Sequence, residues 1–271
     1  MGSGLIAYDR NVADGVLGPA KFNKAKNRKY VYDAFDVRPT FAAAAGHGAP
    51  VGTTGATNIM RTGAGTYEYF VLGAGQTIVA PVWDPTNGKG LDIALDAIIS
   101  EGLEIAFGPN IVTAGEDRGR LNFKIGTDKG FFARLKIYIT DASGFGPFHF
   151  GFRKVQAFQS TFTSYTDYAA LELQADLDIL IATDLNNAGE VATDTTQNTA
   201  DTSSREFEIR VTQQGAVSFL IDGLVPTVNR TNFSFDAGDV VIPFCRLLHA
   251  TDVAEATFLQ EFEAGYLPER G

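Results

Sequence analysis

The sequence predicts an all-β chain: an antiparallel β-sandwich carrying an extended N-terminal arm. Three observations predict it. From Tyr67 onward, apolar and polar residues alternate with period two in about a dozen short segments. Gly, Asp, Asn and Pro separate those segments, and 29 glycines and 21 phenylalanines fit strands and tight turns better than helices. No segment sustains a long helical period. Strands following one another with short turns must bury one face against a second sheet, as in a sandwich or barrel.

The segments follow in order. "YEYFVL" (67–72) and "TIVAPV" (77–82) flank Gly73-Ala74-Gly75. "LDIALDAIISEGL" (91–103) has an apolar spacing that fits either a short helix or a strand. "GLEIAFG" (102–108), "RLNFKIG" (120–126) and "FFARLKIYI" (131–139) alternate cleanly, the last with Phe131, Ala133, Leu135, Ile137 and Ile139 on one face. The Phe-rich "GPFHFGFRKVQAF" (146–158), "YAALEL" (168–173) and "LDILIAT" (177–183) come next. Residues 185–207, rich in Thr, Asp and Asn, read as a long exposed loop. A hairpin follows, with Phe207, Ile209 and Val211 alternating before Gln-Gln-Gly and Val217, Phe219 and Ile221 after it. "DVVIPFCRLL" (239–248) and "EATFLQEFEAG" (255–265) are the closing strands.

Residues 1–66 read as the arm and 67–271 as the sandwich domain. The stretch 41–65 is mostly Ala, Gly and Thr, which offers too little apolar area to offset its ordering entropy alone. Residues 1–40 hold seven Lys/Arg against four Asp/Glu, whereas the whole chain carries −10. The basic run at 21–29 makes Lys21, Lys24, Lys26, Arg28 and Lys29 the candidate partner-binding residues, facing acidic surfaces of neighbouring subunits. A net charge of −10 argues against nucleic-acid binding. The lone Cys245 excludes a disulfide framework and fits a reducing cytosol. No apolar run approaches the roughly 18 residues of a membrane span, and no secretory signal is visible.

No residue set predicts catalysis, a cofactor or a metal. Asp222-Gly223 reads as a turn, the Asp bonding backbone amides and the Gly permitting positive φ. Glu206/Glu208 and Glu261/Glu263 are the nearest carboxylate pairs and read as solvated. In "DLNNAGE" (184–190), Asp184, Asn186 and Glu190 sketch a calcium loop, but Ala188 holds a ligand position, so a surface turn is expected. His47, His149 and His249 lie far apart, and Cys245 reads as a small core residue.

The hairpin ending in Val217, Phe219, Ile221, Asp222 and Gly223 resembles the back-sheet hairpin of concanavalin-A-like lectin and glucanase sandwiches. That resemblance implies a jelly-roll, concanavalin-A-like fold. The small-residue leader, acidic β body and single Cys together resemble capsid decoration or cement proteins of tailed bacteriophages. This second resemblance implies a non-enzymatic structural protein of the virion, assembled in the host cytoplasm. It would be a homotrimer contacting itself and the major capsid protein and clamping the head. The alternative is a lectin-like virion protein that binds glycan through exposed aromatics, with Trp83, Tyr165 and Tyr168 as candidates.

Overall fold

The computed structural model describes residues 29–44, 49–73, 77–86, 90–95, 98–110, 121–252 and 256–267. Seventeen strands are named among them: β1 (Tyr30–Asp33), β2 (Thr40–Ala43), β3 (Thr57–Arg61), β4 (Thr66–Leu72), β5 (Val82–Asp84), β6 (Gly90–Asp92), β7 (Gly102–Ala106), β8 (Phe123–Lys124), β9 (Phe131–Ile139), β10 (Phe145–Lys154), β11 (Tyr168–Leu173), β12 (Asp178–Asp184), β13 (Val191–Asn198), β14 (Ser203–Val211), β15 (Val217–Ile221), β16 (Val240–His249) and β17 (Thr257–Tyr266). They form two antiparallel sheets. Sheet A runs β15-β14-β9-β17-β6-β5, with β1 also on β17. Sheet B runs β13-β12-β11-β10-β16-β7-β4-β3-β2, with β8 also on β16.

Period-two alternation decides which face of each strand is buried. On β9 the five residues Phe131 to Ile139 that share one face are all fully buried, and their neighbours between are half-buried. The inner faces of both sheets meet in one core, with Phe148, Phe150 and Phe152 of β10 opposite Phe131, Leu135 and Phe207 of sheet A. Aromatic contacts tie the layers. Phe107 stacks on Phe262 at 3.8 Å, and Phe123 stacks on Phe131 at 4.3 Å. Such pairs add about 0.5–1.5 kcal/mol each beyond the area they bury.

The hairpin is as its pattern predicts. Phe207, Ile209, Val211, Phe219 and Ile221 are buried, and β14 pairs β15 from Phe207↔Ile221 to Val211↔Val217. Gly215 turns it at φ 94°, and a Cβ there would meet the carbonyl oxygen of Phe235 at 2.3 Å. Any other residue at 215 would therefore be strained twice over.

Four expectations are corrected. Sheet pairing begins upstream of the 66/67 boundary: β1 pairs β17, and β2 and β3 extend sheet B beyond β4. Met60 of β3 joins the main core, and Ala42 and Ala43 of β2 are buried. Residues 185–207 are not one loop but contain β13 and the start of β14. "TIVAPV" is strand only from Val82. Among the described residues of 91–103 only the ends are strand, and the backbone takes positive φ at Leu95 and Ser100, which breaks a helical run at those positions.

Candidate functional site

Part of the outer face of sheet B is covered by the chain itself. Residues 155–167 leave β10, run across that face and return as β11, with a single 3-10 turn at Phe162–Ser164. Phe158 stacks on Phe70 of β4 at 4.8 Å, and Phe162 stacks on the His149 ring at 3.8 Å. Phe162, Tyr165, Tyr168, Ala170, Ala182 and Phe244 close a second small core beneath this strap.

Under the strap lies a buried ionic network. Glu104 of β7 is fully buried between Arg153 of β10 and Arg246 of β16, and its carboxylate accepts from Arg153 at 2.9 Å, Arg246 at 3.1 Å and the Tyr165 hydroxyl at 2.8 Å. Arg246 also donates to the Gln159 carbonyl at 2.8 Å and to that of Ser160. Arg153 lies over the Tyr165 ring, 4.4 Å from its centroid. Burial, and then the Glu104 charge, push the Tyr165 hydroxyl well above its ordinary value, so it stays protonated and donates. Every charge here has a partner, which is what a buried charge requires.

Beside the strap the strands set a second polar group. His149 pairs in register with Glu172, and Tyr168 with Asp184, all on the outer face. His149 Nε2 stands 3.5 Å from Glu172 Oε2. Gln174 Nε2 donates to the other Glu172 oxygen at 2.9 Å, and the Tyr168 hydroxyl donates to Glu190 Oε2 at 2.8 Å. Burial alone would raise the Glu172 carboxyl, but His149 and Gln174 outweigh it and hold it below the usual carboxylate range. Burial and the neighbouring carboxylates push the Tyr168 hydroxyl far upward.

Where β12 turns into β13, a cavity of about 420 Å³ opens against the 230–236 segment, lined among others by Asp184, Gly189, Arg230, Asn232, Ser234 and Asp236. Asn186 and Asn187 take φ near +56° and +55°, and Asn186 donates its amide N–H to Asp167 and its side-chain NH₂ to Asp236 at 2.9 Å. These bonds fix the turn as one wall. Asp184 is only 2 % exposed, and neither of its carboxylate oxygens has a hydrogen-bond partner. Arg230 Nε, also buried, lacks an acceptor. Asp184 and Arg230 both line the cavity, and these buried atoms lack the hydrogen-bond partners that buried polar groups ordinarily have.

The residues singled out from sequence fare unevenly. Lys21, Lys24, Lys26 and Arg28 lie outside the described residues, as does His47. Lys29 is described and faces its own sandwich: its ammonium contacts Asp128 at 3.0 Å and the Asn122 carbonyl at 2.6 Å. Tyr165 and Tyr168, expected as exposed aromatics, are fully buried beneath the strap, because each hydroxyl finds a carboxylate there. Trp83 is half-buried, packs on the core and donates Nε1–H to the Phe35 carbonyl at 3.0 Å. Asp222-Gly223 is a turn: Asp222, at φ 51°, accepts from the Glu206 amide and from Arg205. Glu206 and Glu263 share Arg134, Glu261 faces Lys136 at 3.8 Å, and Glu208, which is buried rather than solvated, pairs with Arg210. His249 is buried against the Ala94 carbonyl, and Cys245 is buried with its thiol pushed up by desolvation. The sketched calcium loop does not converge as a ligand set, since Asn186 turns to Asp236 and Glu190 to Tyr168. The sequence singled out Asp184 but not Arg230, because the β12–β13 turn and the 230–236 segment meet only in the tertiary fold.

Among the described residues no helix is long and apolar enough to cross a membrane. No family model matches the chain, and no curated protein sequence matches it. Solved structures do resemble it. A protein of unknown function from Shewanella oneidensis MR-1 is 10% identical, covering 94% of this chain and 98% of that one, with a TM-score of 0.49. A β-glucanase from Bacillus licheniformis is 11% identical over 88% of this chain and 98% of its own, at 0.45. A galectin from Caenorhabditis elegans is 12% identical over 53% of this chain and 89% of its own, at 0.35. At these values the likenesses carry no argument about function; what stands is the antiparallel two-sheet sandwich that the chain's own strands define.

Proposed function

We propose that the chain is a non-catalytic carbohydrate-binding sandwich whose ligand sits in the cavity at the β12–β13 turn. One observation carries this reading: the cavity holds an orphaned acceptor, Asp184, together with an orphaned donor, Arg230 Nε. A hydroxyl is both donor and acceptor, so vicinal hydroxyls of a sugar satisfy the two at once. A simple cation would satisfy Asp184 and leave Arg230 facing positive charge. Asn232 and Ser234 extend the polar wall, and a volume of about 420 Å³ falls within the ordinary range for small-ligand pockets. The tailed-phage decoration reading rests on the small-residue leader, the acidic β body and the single Cys, and of its candidate arm contacts Lys29 is engaged within its own domain.

The test is binding of a panel of soluble oligosaccharides by calorimetry, for wild type and Asp184→Asn. Saccharide affinity should fall at least ten-fold in the variant. The melting temperature of the variant is measured alongside, so that lost binding is separated from a lost fold. Absence of saccharide binding by wild type across the panel sinks the proposal, as does a variant that binds equally well.

A further inference from the structure

The geometry points to a second site on the outer face of sheet B: a first-row divalent cation of the zinc class held by His149, Glu172 and Glu190. One ligating atom from each lies within 4.8 Å of the other two. His149 supplies the independent sign. The residue is 3 % exposed, and its Nε2, the nitrogen turned toward the carboxylates, has Glu172 Oε2 at 3.5 Å as its ionic neighbour. Charge-assisted N–H···O⁻ bonds run at roughly 2.7–2.9 Å, so 3.5 Å is too long for a good one. It does match a shared ion. A tetrahedral cation with bonds of roughly 2.0–2.2 Å sets its donors about 3.3–3.6 Å apart.

The surroundings hold the ligands in place. Phe162 stacks on the imidazole, Gln174 fixes one oxygen of Glu172 and leaves Oε2 facing His149, and Tyr168 donates to one oxygen of Glu190. Such second-layer donors orient ligands and tune affinity. Glu190 is exposed and follows the turn residue Gly189, so its side chain can move the short distance needed to close the triangle. An imidazole with two carboxylates selects zinc-class ions over calcium or magnesium, which take all-oxygen shells. Three protein ligands leave the fourth position to water. The inference does not depend on what fills the β12–β13 cavity.

The experiment titrates the metal-free full chain with ZnCl₂ and, separately, CaCl₂, following heat and melting temperature. Zinc is expected to bind at one equivalent with micromolar or tighter affinity and to raise the melting temperature, while calcium at equal concentration does neither. Glu190→Gln should weaken zinc at least ten-fold with an unchanged fold, since Glu190 is exposed. Glu172→Gln should do the same, and His47→Ala should not. No zinc binding by wild type, or zinc binding that survives Glu190→Gln or is lost with His47→Ala, overturns the site. Should Glu172→Gln fail to fold, the Glu190→Gln and His47→Ala results decide.

Discussion

Asp92, at the end of β6, has its carboxyl raised to about 6, chiefly because burial penalises the charge and in lesser part because Asp84 is near; the Ala94 amide only partly offsets this. In the unfolded chain the same group titrates near its ordinary value of 3.8. The folded state therefore holds the proton more tightly. That contribution to stability is full at low pH and is lost as pH rises through about 6. Asp92→Asn keeps the acceptor for Ala94 and removes the titration. The variant should gain stability over wild type above pH 6, with the gain vanishing by about pH 4, as read from denaturant melts at several pH values. A difference that does not change with pH would contradict the assignment. Asp128 and Glu172 are held low and act in the opposite sense, so the comparison with wild type, rather than the wild-type profile itself, isolates Asp92.

The strap over residues 155–167 is an element without regular structure, held by an ion network and rings instead of a ladder. Glu104→Gln would leave Arg153 and Arg246 buried without their carboxylate, at a cost of about 3–5 kcal/mol. The expected signature is local: hydrogen exchange should rise first over residues 156–165, which lose the Arg246 bonds to Gln159 and Ser160, and less in β9. Uniform loss of protection would instead show that the network supports the whole sandwich. Elements of this kind explain what the sequence concealed. Strands with one dry face, such as β9 and the β14–β15 hairpin, announce themselves by alternation. β13 does not, because it is an edge strand of polar residues in which Asp194, Thr196 and Asn198 are exposed and the one buried residue is a polar Thr195. β3 is masked by Asn58, a fully buried polar residue whose side chain exchanges two bonds with the Val51 backbone, at 2.8 and 2.9 Å. The buried Tyr165 and Tyr168 were misread for the same reason. Nothing local says that a crossing loop will cover the outer face.

For the whole molecule, described strand pairing starts at Tyr30, so a cut at residue 66 removes β1, β2 and β3. Removing 1–60 takes away β1, β2 and most of β3, with the Asp33 carboxylate that accepts from Tyr67 and the β1 pairing to Phe262, and should yield aggregation or loss of the cooperative transition in calorimetry. Stability equal to that of the full chain would show that the first three strands are ornamental. The position of β17 has a further consequence, for time rather than space. This strand lies inside sheet A, with β9 on one side and β6 and β1 on the other, although it is the last strand along the chain. Residues near position 30 must wait for partners near position 265, and such long-range closure makes folding slow. During synthesis, sheet A remains in three unjoined parts, β15-β14-β9, β6-β5 and β1, until residues 257–266 clear the ribosome, so the exposed flanks of β9 and β6 are the surfaces that a nascent-chain chaperone would have to shield.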